Sequence, residues 1–237
     1  MIKVQSLWIG EELGIFEMLC IKSYLKHGHK FILYTYSNLD TNISNPNLII
    51  KDGNEIIPES SIFTYETGEI SAFSNMFRYK LLYDRGGIWT DMDMICFKNL
   101  SPLIINKNYI FSSEISHSKK IQVPNTGIIM APKGCKYMKL AYLNTKIIKK
   151  NGNLKWGSTG PIVLQKIINK NKLENYVVSY KIFCPINYTN LNKLININYD
   201  EIKTSYCIHL WNQIWNVEKR DKNDILKNKI FLSIFND

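Results

Sequence analysis

Two carboxylates, Asp91 and Asp93, stand one residue apart within the stretch from Ser71 to Leu100, SAFSNMFRYKLLYDRGGIWTDMDMICFKNL. Carboxylates this close repel each other unless a cation lies between them, and hard divalent ions prefer oxygen ligands. An isolated Asp-x-Asp is common in solvated turns, so the pair needs its context. Upstream, Ser71, Asn75 and Arg78 recur at i, i+4 and i+7, which places three polar groups along one stripe of a helix. That stripe is expected to aim at the end where the carboxylates lie, with Arg78 either facing them or making a surface salt bridge.

The elements that must position these groups are legible in the same stretch. Phe73, Phe77 and Leu81 fall one turn apart, and Met76, Leu82 and Tyr83 widen the apolar face of a helix. Ser71 is the expected N-cap, and Gly86 and Gly87 the stop, because glycine tolerates the left-handed conformation of a helix C-terminus. Ile88 and Trp89 then have strand propensity. Helix, glycine turn, short strand and Asp-x-Asp together predict a metal site at a strand end.

The run FSNMFRYKLLYDRGGIWTDMDMICFKNL, with its Arg, apolar spacer, Tyr-x-x-Gly-Gly and Asp-x-Asp, resembles the sugar-nucleotide-binding DxD region of retaining glycosyltransferases with the GT-A fold. That group includes the yeast initiating mannosyltransferase family, lactosylceramide galactosyltransferases, bacterial capsule and lipopolysaccharide enzymes and, more distantly, clostridial glucosylating toxins. The resemblance implies an α/β, GT-A fold with one Rossmann-like domain and a mixed central sheet. It also implies transfer of a hexose or N-acetylhexosamine from a nucleotide sugar, UDP-linked by preference, to a glycan, glycolipid or protein acceptor, as in polysaccharide biosynthesis. Mn²⁺ or Mg²⁺ is the implied cofactor. Asp93 would bind it directly, while Asp91 would contact the ribose or reach the metal through water. Arg78 and Asn75 would hold the donor sugar, and acceptor attack on the front face would retain configuration without a protein nucleophile. Such relatives carry Asp where this chain has Asn75, so their donor preference does not carry over directly.

The bulk properties suit this reading. At 237 residues and 45% hydrophobic, the chain fits one domain over 1–237, with a nucleotide-binding half at 1–100 and an acceptor-side half at 101–237. No apolar run reaches a membrane span and the start lacks a signal peptide's apolar core, so a cytoplasmic protein is the expectation. Five cysteines, odd in number and without Cys-x-x-Cys spacing, read as buried thiols. A net charge of +10 comes from dispersed lysines; it is compatible with peripheral contact with an anionic membrane or acidic glycans. No nucleic-acid-binding motif accompanies the charge.

Strand, helix and strand over Lys3–Ile9, Leu13–Lys26 and Lys30–Tyr36 open a nucleotide-binding sheet. Trp8 and Ile9 lie at the first strand's C-terminal end, where such sheets bind ligands. The relatives carry Trp-Ile/Phe-Gly here, which makes Trp8 either a platform for the base or a core residue. His27 and His29, flanking a helix-stopping Gly28, are expected at the surface. Ile62 to Thr64 is expected as a short strand. Strands are also expected at Ile95–Phe97, Tyr109–Ser112 and Gly127–Met130, the last two joined by a polar stretch containing Glu114, His117 and Asn125. In the relatives the segment matching NTGIIMAPKG lines the donor-sugar pocket, which implicates Asn125; Glu114 is a donor-sugar or acceptor-side contact or a solvated loop residue.

A helix is expected over Lys136–Lys150 and another after Trp156–Pro161, WGSTGP, whose exposed amides around Gly160 either favour an anion or a sugar hydroxyl or mark an ordinary helix start. The late strand YCIHL leads to Trp211 and Asn212, and HLWNQIW resembles the H-x-W-N of galactosyltransferase relatives. This makes His209 a third metal ligand, or a structural histidine. Asp224–Phe235 is expected to form a last helix. Two rival functions are a catalytically inactive sugar-nucleotide or glycan-binding module, which Asn75 favours, and a DxD phosphatase, whose motif belongs near an N-terminal strand.

Overall fold

The structure is a computed structural model that describes every residue except Met1, His117, Lys119 and Asp237. The polar-stretch residue His117 therefore lies outside the described residues. In chain order the elements are β1 (Lys3–Trp8), α1 (Ile15–Lys26), β2 (Lys30–Thr35), β3 (Leu48–Asp52), α2 (Ser71–Arg85), β4 (Gly87–Thr90), β5 (Met94–Cys96) and α3 (Ser101–Ile104). Then come β6 (Ile110–Ile115), β7 (Gln122–Ala131), α4 (Lys136–Lys150), α5 (Pro161–Lys170), α6 (Tyr180–Phe183), α7 (Leu191–Ile195), α8 (Tyr199–Ile202), β8 (Cys207–His209), α9 (Asn212–Val217) and α10 (Lys229–Asn236).

Six strands form one mixed sheet in the order β3-β2-β1-β4-β7-β6, and β5 pairs with β8 in a two-stranded sheet. β1 to β4 run parallel where they pair, whereas β7 is antiparallel to both β4 and β6. The inner strands β1, β2, β4 and β7 are largely buried because helices cover both faces of the sheet, while the edge strand β3 is partly exposed. One core cluster gathers α1, the small sheet and the C-terminal helices; the other gathers α2, α4 and α5. Register places Val4 beside Ile88 and Gln5 beside Trp89, so the C-terminal ends of β1 and β4 coincide. Ser6 Oγ seals that edge by donating to the Thr90 carbonyl at 2.7 Å. Trp8 and Asp91 consequently leave the sheet at the same edge.

α2 ends as its sequence predicts: Gly86 and Gly87 have φ of +66° and +100°. A side chain at Gly86 would also collide with the backbone of Lys133. Its start differs, because Ile70 occupies the cap position and Ser71 makes no capping hydrogen bond. Ile62 to Thr64 is irregular rather than a strand. The stretch expected as a single last helix divides into a 3₁₀ turn over Lys222–Lys227 and α10. His29 is fully buried against Tyr24, with Nε2 accepting from the Leu100 amide at 3.2 Å, which corrects the expectation of a surface residue. All five cysteines are buried and free. Among the described residues no helix is long and apolar enough to cross a membrane.

Candidate active site

Asp91 follows β4 directly. Alternation along the strand puts Trp89 and Asp91 on one face, and Trp89 Nε1 donates to Asp91 Oδ1 at 2.9 Å. Arg78, 3% exposed, reaches the same oxygen from α2 at 2.9 Å. Its guanidinium is fixed by the Thr126 carbonyl at 2.5 Å, by Ser74 Oγ at 3.1 Å and by the Trp89 ring, 4.8 Å from its centroid. Arg78 thus faces the carboxylates, in a buried ion pair and not a surface one. Asp91 N donates to the Gly127 carbonyl at 2.8 Å, which draws β7 against the site. Among the described residues Asp91 Oδ2 takes no hydrogen bond.

Asp93 is held from the other end of the chain. His209 Nε2 lies 3.1 Å from Asp93 Oδ2, and the Asn212 amide donates to that oxygen at 2.8 Å. One ligand atom from each of Asp91, Asp93 and His209 falls within 4.8 Å of the others. The turn that achieves this is strained: Trp211 has φ of +62°, a conformation that costs a bulky residue about 1–2 kcal/mol. Its ring offsets the strain by packing on His209, with centroids 3.8 Å apart, and by donating from Nε1 to the Ile186 carbonyl at 2.9 Å.

The electrostatics of the two carboxylates differ. Burial raises the pKa of Asp91, Arg78 opposes this, and the Asp93 charge adds to it. At Asp93 burial acts in the same direction, but His209 and the Asn212 amide outweigh it and the pKa is lowered. Burial disfavours a charged His209, yet Asp93 more than compensates and raises its pKa well above the usual value.

Asn75 does not share the direction of Arg78. Its Nδ2 donates to the hydroxyls of Tyr65 at 3.1 Å and Thr159 at 3.3 Å, in the turn before α5, while its Oδ1 is buried without a partner. A β-carbon on Gly160 would lie 2.6 Å from that Nδ2, so only glycine admits this approach. The absence of a carboxylate at position 75 leaves Arg78 paired all the same, since Asp91 supplies the negative charge. Asn125 in β7 donates to Glu114 Oε2 at 3.0 Å and to Cys184 Sγ at 3.4 Å, and its Oδ1 accepts from Ser112 and from the Gly127 amide. Burial raises the pKa of Glu114, with Asn125 opposing it. Trp8 is half-buried at the sheet edge, its Nε1 donating to the Glu12 carbonyl at 2.9 Å; Ile9 packs on the α2 side of the sheet.

Trp89, Ser74 and Thr126 join the site although the sequence reading assigned them no role there. For Trp89 the signal was present in its i, i+2 relation to Asp91. Glu17 on α1, buried, accepts from Asn212 Nδ2 at 3.4 Å, and nothing local in the sequence marks it.

The structural comparisons place the fold in the GT-A glycosyltransferase class. The chain is similar to the galactosyltransferase LgtC in complex with donor and acceptor sugar analogues, with a TM-score of 0.56 at 10% identity over 99% of this chain and 95% of that one. It is also similar to the apo glycosyltransferase GlyE of Streptococcus pneumoniae TIGR4 (0.52, 14% identity, 99% and 64%) and to the ligand-free glycosyltransferase domain of the YGT toxin (0.50, 10% identity, 98% and 93%). More particularly, residues 16–110 match the family described as glycosyltransferase sugar-binding region containing DXD motif. Both carboxylates and Arg78 lie within that match; Asn125, Gly160 and His209 lie beyond it. No curated protein matches the sequence.

Proposed function

We propose that the protein is a metal-dependent, retaining glycosyltransferase that moves a hexose or N-acetylhexosamine from a nucleotide sugar to a glycan, glycolipid or protein acceptor in the cytoplasm. The convergence of Asp91, Asp93 and His209 at the C-terminal edge of parallel strands carries this reading. Two carboxylates and an imidazole are a donor set that suits Mn²⁺ or Mg²⁺. Such an ion supplies Lewis-acid neutralisation of the charge that grows on a departing diphosphate.

The chain's own groups supply orientation. Asp91, fixed through Oδ1, keeps Oδ2 for the ribose or the cation. Trp8 offers its ring to the base, which favours uridine. Asn75 Oδ1 and Asn212 Oδ1 are buried acceptors without partners, and an orphaned acceptor at a site calls for a hydroxyl donor, which a sugar nucleotide has in number. Gly160 lets the Asn75 amide pack closely against the turn before α5, and Trp211 keeps the His209 ring in place. Asn125 and Glu114 form the edge on which the sugar and the acceptor hydroxyl would meet, and retention follows front-face attack without a protein nucleophile.

The test is release of nucleoside diphosphate from a panel of UDP- and GDP-sugars, with Mn²⁺ or after EDTA, alongside thermal shift with the same ligands. Cation-dependent release is expected, strongest with UDP-sugars. Full activity after EDTA would sink the metal assignment. Because Asn75 replaces a carboxylate, binding without turnover is the second reading; a thermal shift with no product from any donor and acceptor would select it.

A further inference from the structure

We infer that α4 is a docking surface for anionic phospholipid membranes. At about 100° per residue, Leu140, Leu143 and Ile147 fall on one stripe of this helix, opposite Met138, Ala141 and Thr145, which are buried on the side packed against α2 and α5. The three apolar side chains are 42%, 41% and 59% exposed, so the outermost crest of the helix is apolar. Lys136, Lys139, Lys146 and Lys150 are exposed along and beside that crest.

A groove of about 420 Å³ runs next to the lysine border, lined by Lys146, Lys149 and Lys150 over a floor that includes Ile56, Ile57 and Met76. Lys149 is anchored there by the Ser61 carbonyl at 2.8 Å. Cations above an apolar floor, beside an apolar crest, match a phosphate headgroup and the acyl boundary beneath it. The surrounding sequence is of one sign: residues 115–173 contain twelve lysines and no carboxylate. Lysines near an anionic leaflet each add attraction, while the apolar side chains sink into the interface.

Other occupants fit less well. Three partly exposed side chains fall far short of the roughly 800 Å² per partner that a stable dimer buries. A nucleic acid would use the lysines but gain nothing from the apolar crest.

The docking surface is independent of the transferase reading, and its test needs no donor or acceptor. The full chain is co-sedimented with vesicles of mixed phosphatidylcholine and phosphatidylserine, and with phosphatidylcholine alone. Binding is expected to the mixed vesicles and to fall with added salt. The combined variant Leu140→Gln, Leu143→Gln and Ile147→Gln should lose at least about tenfold in partitioning with an unchanged unfolding midpoint. Lys136→Gln with Lys139→Gln and Lys150→Gln should remove the preference for the anionic lipid. Wild-type protein that stays in the supernatant overturns the proposal, as does a crest variant that binds like wild type. A concentration-dependent dimer that the crest variant abolishes, or binding to duplex DNA that the lysine variant abolishes, while vesicles bind nothing, overturns the proposal and assigns the face to that partner instead.

Discussion

Asp91 and Asp93 are two residues apart in sequence and belong to different regions of the molecule. Asp91 is held by groups from α2, β4 and β7, all rigidly packed around the large sheet, and an arginine neutralises it. Asp93 is held by the segment 209–212, which arrives from 116 residues downstream through a strained turn. Burial acts on both, and their pKa values still move in opposite directions. The lesson is that a two-carboxylate motif does not have two equivalent oxygens: the surroundings make one carboxylate a fixed, paired strut and leave the other to work with His209.

The largest expected effect breaks that asymmetry at Asp93. Asp93→Ala should lower kcat by about 10²–10³-fold or more, as loss of a principal electrostatic group does, while Asp91→Asn, which keeps an acceptor for Trp89, should cost less. Metal-titrated turnover of both variants decides it, and equal losses would make the two carboxylates equivalent. The next effect is on stability. Arg78→Met leaves Asp91 without its partner, which should destabilise the metal-free protein by about 3 kcal/mol in urea unfolding, the lower end for a broken buried pair because Asp91 is partly exposed.

A third test separates the metal-free pair from the loaded site. The raised pKa of His209 contributes stability that is complete below its unfolded value of about 6.5 and is lost as pH rises through the folded value. The lowered pKa of Asp93 contributes stability that is present above about 3.9 and is lost as pH falls through its folded value. On the proposed assignment a cation would need His209 neutral, so apparent Mn²⁺ affinity should rise about tenfold per pH unit until His209 has deprotonated. Calorimetric titration at several pH values measures this slope, and a flat profile would remove His209 from the ligand set. The smallest effect concerns Asn75. Asn75→Asp should retain the fold and metal binding and alter kcat/KM ratios among UDP-glucose, UDP-galactose and their N-acetyl forms by about fivefold, the equivalent of one hydrogen bond. Unchanged ratios would mean that Asn75 does not read the sugar.

The region around Asp91 is largely legible in sequence, because its helix has a clean apolar period and its two glycines have a conformational reason. α4 is also readable to the residue. The region around Asp93 is less so. His209 and Asn212 can be picked out only by resemblance, and Glu17 not at all, since a buried glutamate on a helix looks like any surface glutamate until the C-terminal segment packs on it. His29 fails for the same reason: a histidine beside a helix-stopping glycine carries no local sign that Leu100 will cover it. Ile62 to Thr64 has strand composition, but among the described residues no strand pairs with it. Asn75 shows the limit of spacing itself. It shares a stripe with Arg78 by count, yet the turn at Thr159 and Gly160 captures its amide.

The strained turn at Trp211 has a consequence for how the protein is made. The six strands of the large sheet, both carboxylates and Arg78 are all encoded up to Ala131, whereas His209 and the helices that complete both core clusters are synthesised later. Only when Trp211 has entered its left-handed turn do His209 and Asn212 reach Asp93. The order of synthesis therefore makes the surroundings of Asp93 among the last parts of the site to form: Arg78 and Asp91 precede the segment 209–212 by more than a hundred residues.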